Sequence, residues 1–592
     1  MTISERIGQL RAWMAAQGIA AYWVPTADPH NNEYIPARWM AREWLTGFTG
    51  SAGLAVVTPT RAGLWTDSRY WLQAGEQLAG SPFTLMREGC ADVPAPEAWL
   101  AQALRAEGLP PEVAGPADML TAATAEALEA AGLTLRTDVP NAFDALWTDR
   151  PPLPAAPITV QDAEWAGPGV AAKLQRAAQW LNGALVGEAY LFNDLADIAW
   201  LLNLRGADIP YNPVFVAYLI YNKEEARFTL FTHTPTLTPE ARTQLTEAGV
   251  LLEAYESLPQ YCRTHRVQAS GSVCLDVPAL PGAPLESEVA LWRAVKSSAE
   301  AEGFRQAMLR DGVALVQFLR RLDEQMAAGD CPTEMEVDAQ LTALRAAQPG
   351  FRELSFATIA GYAAHGAIVH YEAEPATDVR LKPEGLLLLD SGAQFDCGTT
   401  DITRTLALGP TTDEERRVYT LVLKGHLALA RLRFPEGTTG LQLDTAARQP
   451  LWAEGYDFGH GTGHGVGSHL CVHEGPHQIR KNLRACTLIP FGPGLTVTDE
   501  PGIYVEGRFG VRIENVLLCQ PAGETPFGRF LGFETLTLCP YDLRPLDRSL
   551  LTPEEAAQIN AYHTEVRARL LPLLTDEADR QWLRRATEPL VL

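Results

Sequence analysis

Two stretches decide how this chain is read: Gly459-His460-Gly461-Thr462-Gly463-His464-Gly465-Val466-Gly467 and, downstream, Thr498-Asp499-Glu500-Pro501-Gly502-Ile503-Tyr504. Glycine recurs at alternate positions from Gly459 to Gly467, and five of the twelve histidines fall between His460 and His477. Glycine lets a backbone approach a ligand closely or turn with positive φ. A His-x-x-x-His pair alone fits a glycine-rich surface loop as well as a site, so the surrounding sequence has to decide.

Outward from that run lie two pairs of acidic residues. Leu386-Leu387-Leu388-Leu389-Asp390 and Asp401-Ile402-Thr403-Arg404-Thr405 read as one hairpin turning near Phe395-Asp396, which sets Asp390 opposite Asp401. Glu500 and Glu514 are likewise symmetric about Glu506-Gly507-Arg508, a natural turn. Residues paired across a hairpin have Cβ atoms about 4.5–5.5 Å apart, so each acidic pair is repulsive unless a cation lies between its members. Four carboxylates and a histidine form a hard, oxygen-rich set that favours manganese, magnesium or calcium, with cobalt or zinc able to substitute. Because carboxylates bridge, the set can hold two ions about 3.5–4 Å apart with water or hydroxide between them as the nucleophile, which is hydrolase chemistry. Each acid taken singly also fits a solvated hairpin residue; two symmetric pairs flanking a glycine-histidine loop favour the site.

Composition narrows the class. A chain of 592 residues is too long for one core and predicts roughly three to five domains. The 48 basic and 72 acidic residues give a net charge of −24, whose field disfavours nucleic acid as a partner. The start Met1-Thr2-Ile3-Ser4-Glu5-Arg6 leads into a helix pattern with no apolar signal region, and no apolar run is long enough to span a bilayer. A cytoplasmic location without membrane attachment is expected. The nine cysteines, odd in number and without a CxxC pair, read as reduced thiols.

Along the chain, Ile7, Leu10, Trp13 and Met14 predict a helix over 3–17, followed by a strand over Ile19–Val24. Short strands are expected over 53–58 and 63–66, and Pro151-Pro152-Leu153-Pro154 reads as a linker. A second unit from Val170 repeats the order: helix, strand, a Trp-Leu pair (Trp44-Leu45; Trp200-Leu201), then two hairpin-like strands, which predicts a duplicated domain. A long helix over 299–328 follows, with Phe304, Met308, Val313, Val316, Phe318 and Leu322 on its apolar face. Beyond it strands dominate, including Ile368-Val369 and a run over 510–518, and an α+β domain with a curved antiparallel sheet is expected. His426 and His563 read as helix-surface residues.

The same motifs carry a family likeness. Leu389–Gln394, Gly398–Thr405, Gly459–Gly467, Val472–Pro476, Glu500–Tyr504 and Gly510–Asn515 resemble the Xaa-Pro aminopeptidases with the pita-bread catalytic fold, and most closely the large, three-domain aminopeptidase P subtype. Upstream, Asp28-Pro29-His30, Glu33–Pro36, Gly47–Gly53 and Trp65–Tyr70 match that subtype, as do Leu195–Gly206 and, near the C-terminus, Phe533–Pro540. The resemblance implies α/β N-terminal and middle domains of the creatinase N-terminal, ribonuclease-H-like kind (1–153 and 154–296). A pita-bread catalytic domain (297–525) and its C-terminal extension (526–592) would follow.

It further implies that Asp390, Asp401, His464, Glu500 and Glu514 bind two Mn²⁺ per subunit, replaceable by Co²⁺ or Zn²⁺, with Asp401 and Glu514 bridging. His370, His460 and His473 become substrate and transition-state contacts, Glu500 a proton shuttle, Arg69 a peptide contact and Arg512 a support for the carboxylates. His365, His469 and His477 receive no role; His469 stands where the family usually has an apolar residue. The implied reaction is hydrolysis of the N-terminal Xaa-Pro bond of peptides with proline second, by a homodimer. The competing readings are a metal-free pita-bread module that only binds peptides, which would have lost ligands, and the creatinase-type amidinohydrolases, which lack the metal set. Methionine aminopeptidases have the metals without the two preceding domains.

Overall fold

The computed structural model describes residues 1–280 and 284–592. By internal contacts the chain forms two compact units, Met1–Gln161 with Pro168–Val289, and Asp162–Gly167 with Ala290–Leu592.

The first unit contains two sheets of the same design. After the helix Ile3–Gln17, the strand Tyr22–Pro25 pairs antiparallel with Leu54–Val57, which pairs antiparallel with Ala62–Thr66, and that strand pairs parallel with Thr84–Arg87. Glu112–Ala114 adds parallel on the other side of the first strand. In the second sheet, Ala189–Phe192 pairs antiparallel with Ala217–Asn222, which pairs antiparallel with Arg227–Thr232, and Leu251–Ala254 follows parallel. Val267–Ala269 lies parallel on the far side of Ala189–Phe192. Order and direction agree over these five strands, the first sheet adding a sixth, Thr134–Arg136, parallel to Glu112–Ala114, so the repeated helix, strand and Trp-Leu pattern corresponds to a repeated topology. Mixed sheets of this kind need helices on their faces; Val170–Ala184 supplies one, burying Val170, Leu174, Ala177 and Leu181 at helical spacing.

The second unit is built on the helix Ser298–Ala328, started by a capping box in which Ser297 accepts from the Glu300 N–H and Glu300 reaches back to the Ser297 N–H. Phe304 and Met308 from its inner face pack with Val466, Val516, Leu518 and Leu536. All the sheets of this unit are antiparallel: Ile359–Tyr362, Leu386–Ser391 and Ile402–Ala407 form one, and Thr496–Asp499, Asn515–Thr525, Gly528–Thr535 and Phe434–Pro435 another. This is the curled antiparallel sheet expected from the strand-rich second half.

Three local expectations are corrected. Asp390 faces Thr403 across its ladder, not Asp401, because the turn is Asp396-Cys397, one residue later than expected. Arg310 Nη1 donates to Asp396 Oδ1 at 2.6 Å and the Asp396 N–H donates to the Gly350 carbonyl at 2.8 Å, which pins the turn there. Ile368-Val369 is not a strand; it follows the short 3₁₀ helix Ala363–Ala367 and runs into the turn that carries His370. The single strand expected over 510–518 breaks at Ile513-Glu514 into Phe509–Arg512 and Asn515–Thr525, since the Glu514 N–H bonds across to the Thr403 carbonyl at 3.0 Å.

The two long helices at the start of this unit are tied by a buried ion pair. Arg345 donates from Nε and Nη2 to Asp311 Oδ1 and Oδ2 at 2.6 and 3.1 Å, with both side chains almost wholly shielded. Removing one partner leaves an uncompensated buried charge, so Asp311→Ala is expected to destabilise this unit by about 3–5 kcal/mol. A chemical-denaturation midpoint unchanged from the parent would contradict that.

Candidate metal centre

The downstream acidic hairpin has the symmetry read from the sequence. Gly502–Val505 pairs with Phe509–Arg512 around Glu506–Arg508, and the outer ladder pairs Asp499 with Asn515 in the same register. Glu500 and Glu514 occupy the gap between these paired segments. There the strands part: the Glu500 N–H donates to the Thr462 carbonyl at 2.9 Å, and the Glu514 N–H to Thr403. In the upstream hairpin the pairing is two residues away from the expected one. Because strand side chains alternate, an offset of two leaves Asp401 on the side of the sheet it would have had.

The acidic side chains converge. One ligand atom each from Asp401, His464 and Glu514 lies within 4.8 Å of the others. His464 Nε2 is 3.6 Å from Asp401 Oδ2 and 3.7 Å from Glu500 Oε1. Its other nitrogen, Nδ1, is 2.9 Å from the Gly465 carbonyl, which can only accept. The proton therefore sits on Nδ1, and Nε2 presents a lone pair to two carboxylate oxygens. Lone pairs at that spacing call for a cation.

Burial and mutual repulsion shift these groups. Asp401 is held well above the usual carboxylate range, first by burial and then by Asp390 and Glu500. Glu514 is raised by burial and by Asp401, Asp390 and Glu500. Glu500 is pushed up to about 7 by burial, with Asp390 adding to the rise and Arg512 opposing it. Arg512 donates from Nη2 and Nε to Asp390 Oδ2 at 2.6 and 3.1 Å, while the buried Asp390 Oδ1 has no hydrogen-bond partner. An orphaned carboxylate oxygen, a lone pair aimed at two acids and four clustered acids, three of them buried and Glu500 half-buried, together fit a divalent cation bound through oxygen and imidazole.

Relatives match this chain over nearly the whole length of both sequences. The chain is 37% identical to aminopeptidase P2 of Arabidopsis thaliana over 100% of its own length and 89% of the relative's, and 38% identical to a probable Xaa-Pro aminopeptidase P of Laccaria bicolor over 99% and 94%. The chain belongs to the aminopeptidase P family. The X-prolyl aminopeptidase of Caenorhabditis elegans, a cytosolic enzyme with a di-nuclear active site, is similar over 100% of both chains, with 32% identity and a TM-score of 0.94. Residues 302–521 match metallopeptidase family M24, and 529–590 match the C-terminal region of that peptidase family. Residues 6–145 and 149–305 each match a creatinase/prolidase N-terminal domain, in keeping with the two sheets of repeated topology.

Within this aminopeptidase P chain, the other candidate residues have defined surroundings. The His464 and His473 rings meet edge to face, with centroids 4.5 Å apart. His460 has Nδ1 2.7 Å from the Gly461 carbonyl and Nε2 2.8 Å from the Tyr504 hydroxyl, so the hydroxyl donates to Nε2. His370 is half-buried in its turn, and Arg512 Nη2 donates to the neighbouring Val369 carbonyl at 3.3 Å. Arg69 lies in the other unit, where it grips Asp67 with two hydrogen bonds of 2.9 and 2.8 Å and reaches Glu33 at 3.6 Å. His469 is buried with a positive φ of 49°.

Several residues around the centre were not singled out from the sequence. Tyr504 accepts from Arg512 Nη1 at 2.7 Å, and Thr403 donates to Glu514 Oε2 at 2.7 Å. His426 and His563, expected on helix surfaces, are fully buried. His426 bridges the Asp499 carbonyl and the Tyr541 hydroxyl, and His563 Nε2 accepts from the Tyr541 N–H. Their spacing could have disclosed this: His426 continues Tyr419, Val422 and Leu423, and His563 continues Ala556 and Ile559, on the buried faces of their helices.

The raised carboxyls give a pH prediction. In the folded, metal-free protein Glu500 keeps its proton up to about 7, whereas its ordinary value is 4.5. Between those values the folded state binds more protons than the unfolded chain, so stability falls as pH rises. Asp401 and Glu514 act in the same direction. Melting temperature of the metal-free protein should therefore drop from about pH 5 to about pH 7.5, and added Mn²⁺ should reverse the drop. A melting temperature that rises over that range would contradict this assignment.

Proposed function

We propose that this chain hydrolyses the N-terminal Xaa-Pro bond of peptides and releases the first residue. The observation that carries the reading is the buried convergence of Asp401, His464 and Glu514 in a chain similar to aminopeptidases P over its whole length. Asp390, Asp401, His464, Glu500 and Glu514 would hold two divalent cations, with Mn²⁺ favoured by the hard oxygen donors and Co²⁺ or Zn²⁺ as substitutes. When bound, these ions supply acidified water and polarise the scissile carbonyl.

The side chains do the rest. Glu500 takes the proton of the attacking water and delivers it to the proline nitrogen. His473 and His460 donate to the oxygen on which negative charge develops, His460 giving up its bond to the Gly461 carbonyl to do so. His370 is a substrate contact, Arg69 a peptide contact, and Arg512 keeps Asp390 oriented through two hydrogen bonds. The cation site would also hold the free α-amino group of the peptide, hence a requirement for an unblocked N-terminus.

No helix among the described residues is long and apolar enough to cross a membrane. The enzyme acts in the cytoplasm as a homodimer, binding neither nucleic acid nor membrane. Light scattering at micromolar concentration giving the mass of one 64.5 kDa chain would rule out the dimer.

Asp401→Ala and Glu514→Ala should each lose bound metal and hydrolysis of an Ala-Pro peptide together. Arg512→Ala should weaken metal binding by about 10- to 100-fold, with activity partly restored by excess Mn²⁺. The dinuclear assignment fails if Glu514→Ala keeps both its metal and its activity.

A further inference from the structure

One fully buried carboxylate in the catalytic unit lies outside the metal cluster and has no part in the chemistry above. Glu334 opens the helix Glu334–Ala346, and its side chain is 0% exposed. It collects donors from three successive segments. The Tyr362 N–H, at the end of the strand Ile359–Tyr362, donates to Oε1 at 2.7 Å. His365 Nδ1, in the 3₁₀ helix, lies 2.9 Å from both oxygens, and the Tyr371 hydroxyl donates to Oε2 at 2.8 Å. A carboxylate only accepts, so His365 carries its proton on Nδ1.

These donors bracket His370. Tyr371 follows it directly, and the Tyr371 ring stacks on His365 with centroids 4.5 Å apart and planes at 29°. On its other side the segment is clamped to the metal centre: Arg512 donates to the Val369 carbonyl, and the Gly366 backbone passes so close to Gly510 that a Cβ there would meet the Gly366 oxygen at 1.7 Å. The turn bearing His370 is therefore fixed from two sides, by Arg512, which also holds Asp390, and by Glu334. A fully buried carboxyl group is a costly way to join helix to strand, and an apolar contact would serve packing alone. What the carboxylate adds is direction, since three hydrogen bonds at fixed angles set the course of the chain through the turn.

We propose that Glu334 is a positioning residue for His370, acting through His365 and Tyr371 to hold that imidazole at the substrate. The inference rests on the reading of His370 as a substrate contact. It assigns a role to His365, and it places the first turn of the helix Glu334–Ala346 in the catalytic machinery without contact with substrate or metal.

The test uses the full-length protein loaded with Mn²⁺ and the peptide Ala-Pro-Ala. Glu334→Gln keeps the shape of the side chain but replaces one acceptor by a donor. Tyr371→Phe keeps the ring stacked on His365 and removes only the hydroxyl, so it serves if Glu334→Gln does not fold. Both should lower kcat/KM by about tenfold or more while metal content and melting temperature stay near those of the parent. Combined with His370→Ala, neither should lower kcat/KM further, because both act through the same imidazole. The inference is overturned if Tyr371→Phe keeps full activity while His370→Ala is impaired, or if the losses of the paired substitutions multiply. If His370→Ala is itself fully active, the reading of His370 as a substrate contact fails instead.

Discussion

Four carboxylates share one buried space in the catalytic unit, and much of the surrounding structure answers their repulsion. Burial raises Asp401, Glu500 and Glu514, and neighbouring carboxylates add to the rise. The hairpins open where Glu500 and Glu514 sit, and their N–H groups bond sideways to Thr462 and Thr403. Hydroxyls of Thr403 and Thr498 donate to Glu514 and Glu500, and Arg512 takes Asp390. Even so, Asp390 Oδ1 is left without a hydrogen bond. A constellation that stays partly unsatisfied in this way fits positive charge supplied from outside the chain.

The support extends to the last stretch of sequence. Arg404 is buried and donates to the backbone carbonyls of Thr403, Glu514, Cys539 and Pro540, to Asn515 Oδ1 and to the Tyr562 hydroxyl, all within 3.2 Å. Its charge is solvated by carbonyl dipoles, which a guanidinium with five donors can gather and an ammonium cannot. The segments carrying Thr403 and Glu514 are thereby bound to residues 539–562. The C-terminal region is thus tied through Arg404 to the backbone that carries the centre, and it falls within the stretch that matches the C-terminal region of the peptidase family.

How much of this could be read beforehand follows from which physical signals are local. The symmetry of Glu500 and Glu514 about Gly507 is a property of one short hairpin, and it survives in the structure. The pairing of Asp390 was misplaced by two residues because its turn is set by Arg310 and Gly350, which are distant in sequence. The repeated topology of the first unit was legible because each copy carries its own helix, strand and Trp-Leu pair. Tyr504 and Glu334 were not, since a tyrosine in a strand and a glutamate in a first helical turn have ordinary local explanations. His426 and His563 were legible but misread, their polarity outweighing a spacing that placed them inside.

The glycine-histidine stretch shows how environment divides residues of one type. Its glycines serve close approach: a Cβ on Gly463 would lie 1.9 Å from the Thr498 carbonyl oxygen, and one on Gly465 would lie 2.5 Å from that of Glu474. The Glu474 carboxylate beyond is buried against Arg293 and Lys296, which fixes the strand next to His473. With the backbones pressed together, the five histidines diverge. His464 faces the acids with a lone pair, whereas His477, pushed down to about 4 by burial, stays neutral and donates to the Thr496 carbonyl at 2.7 Å. A cluster of imidazoles in sequence is therefore not a cluster of metal ligands. The neighbouring carbonyl that fixes each tautomer decides which nitrogen is left to bind.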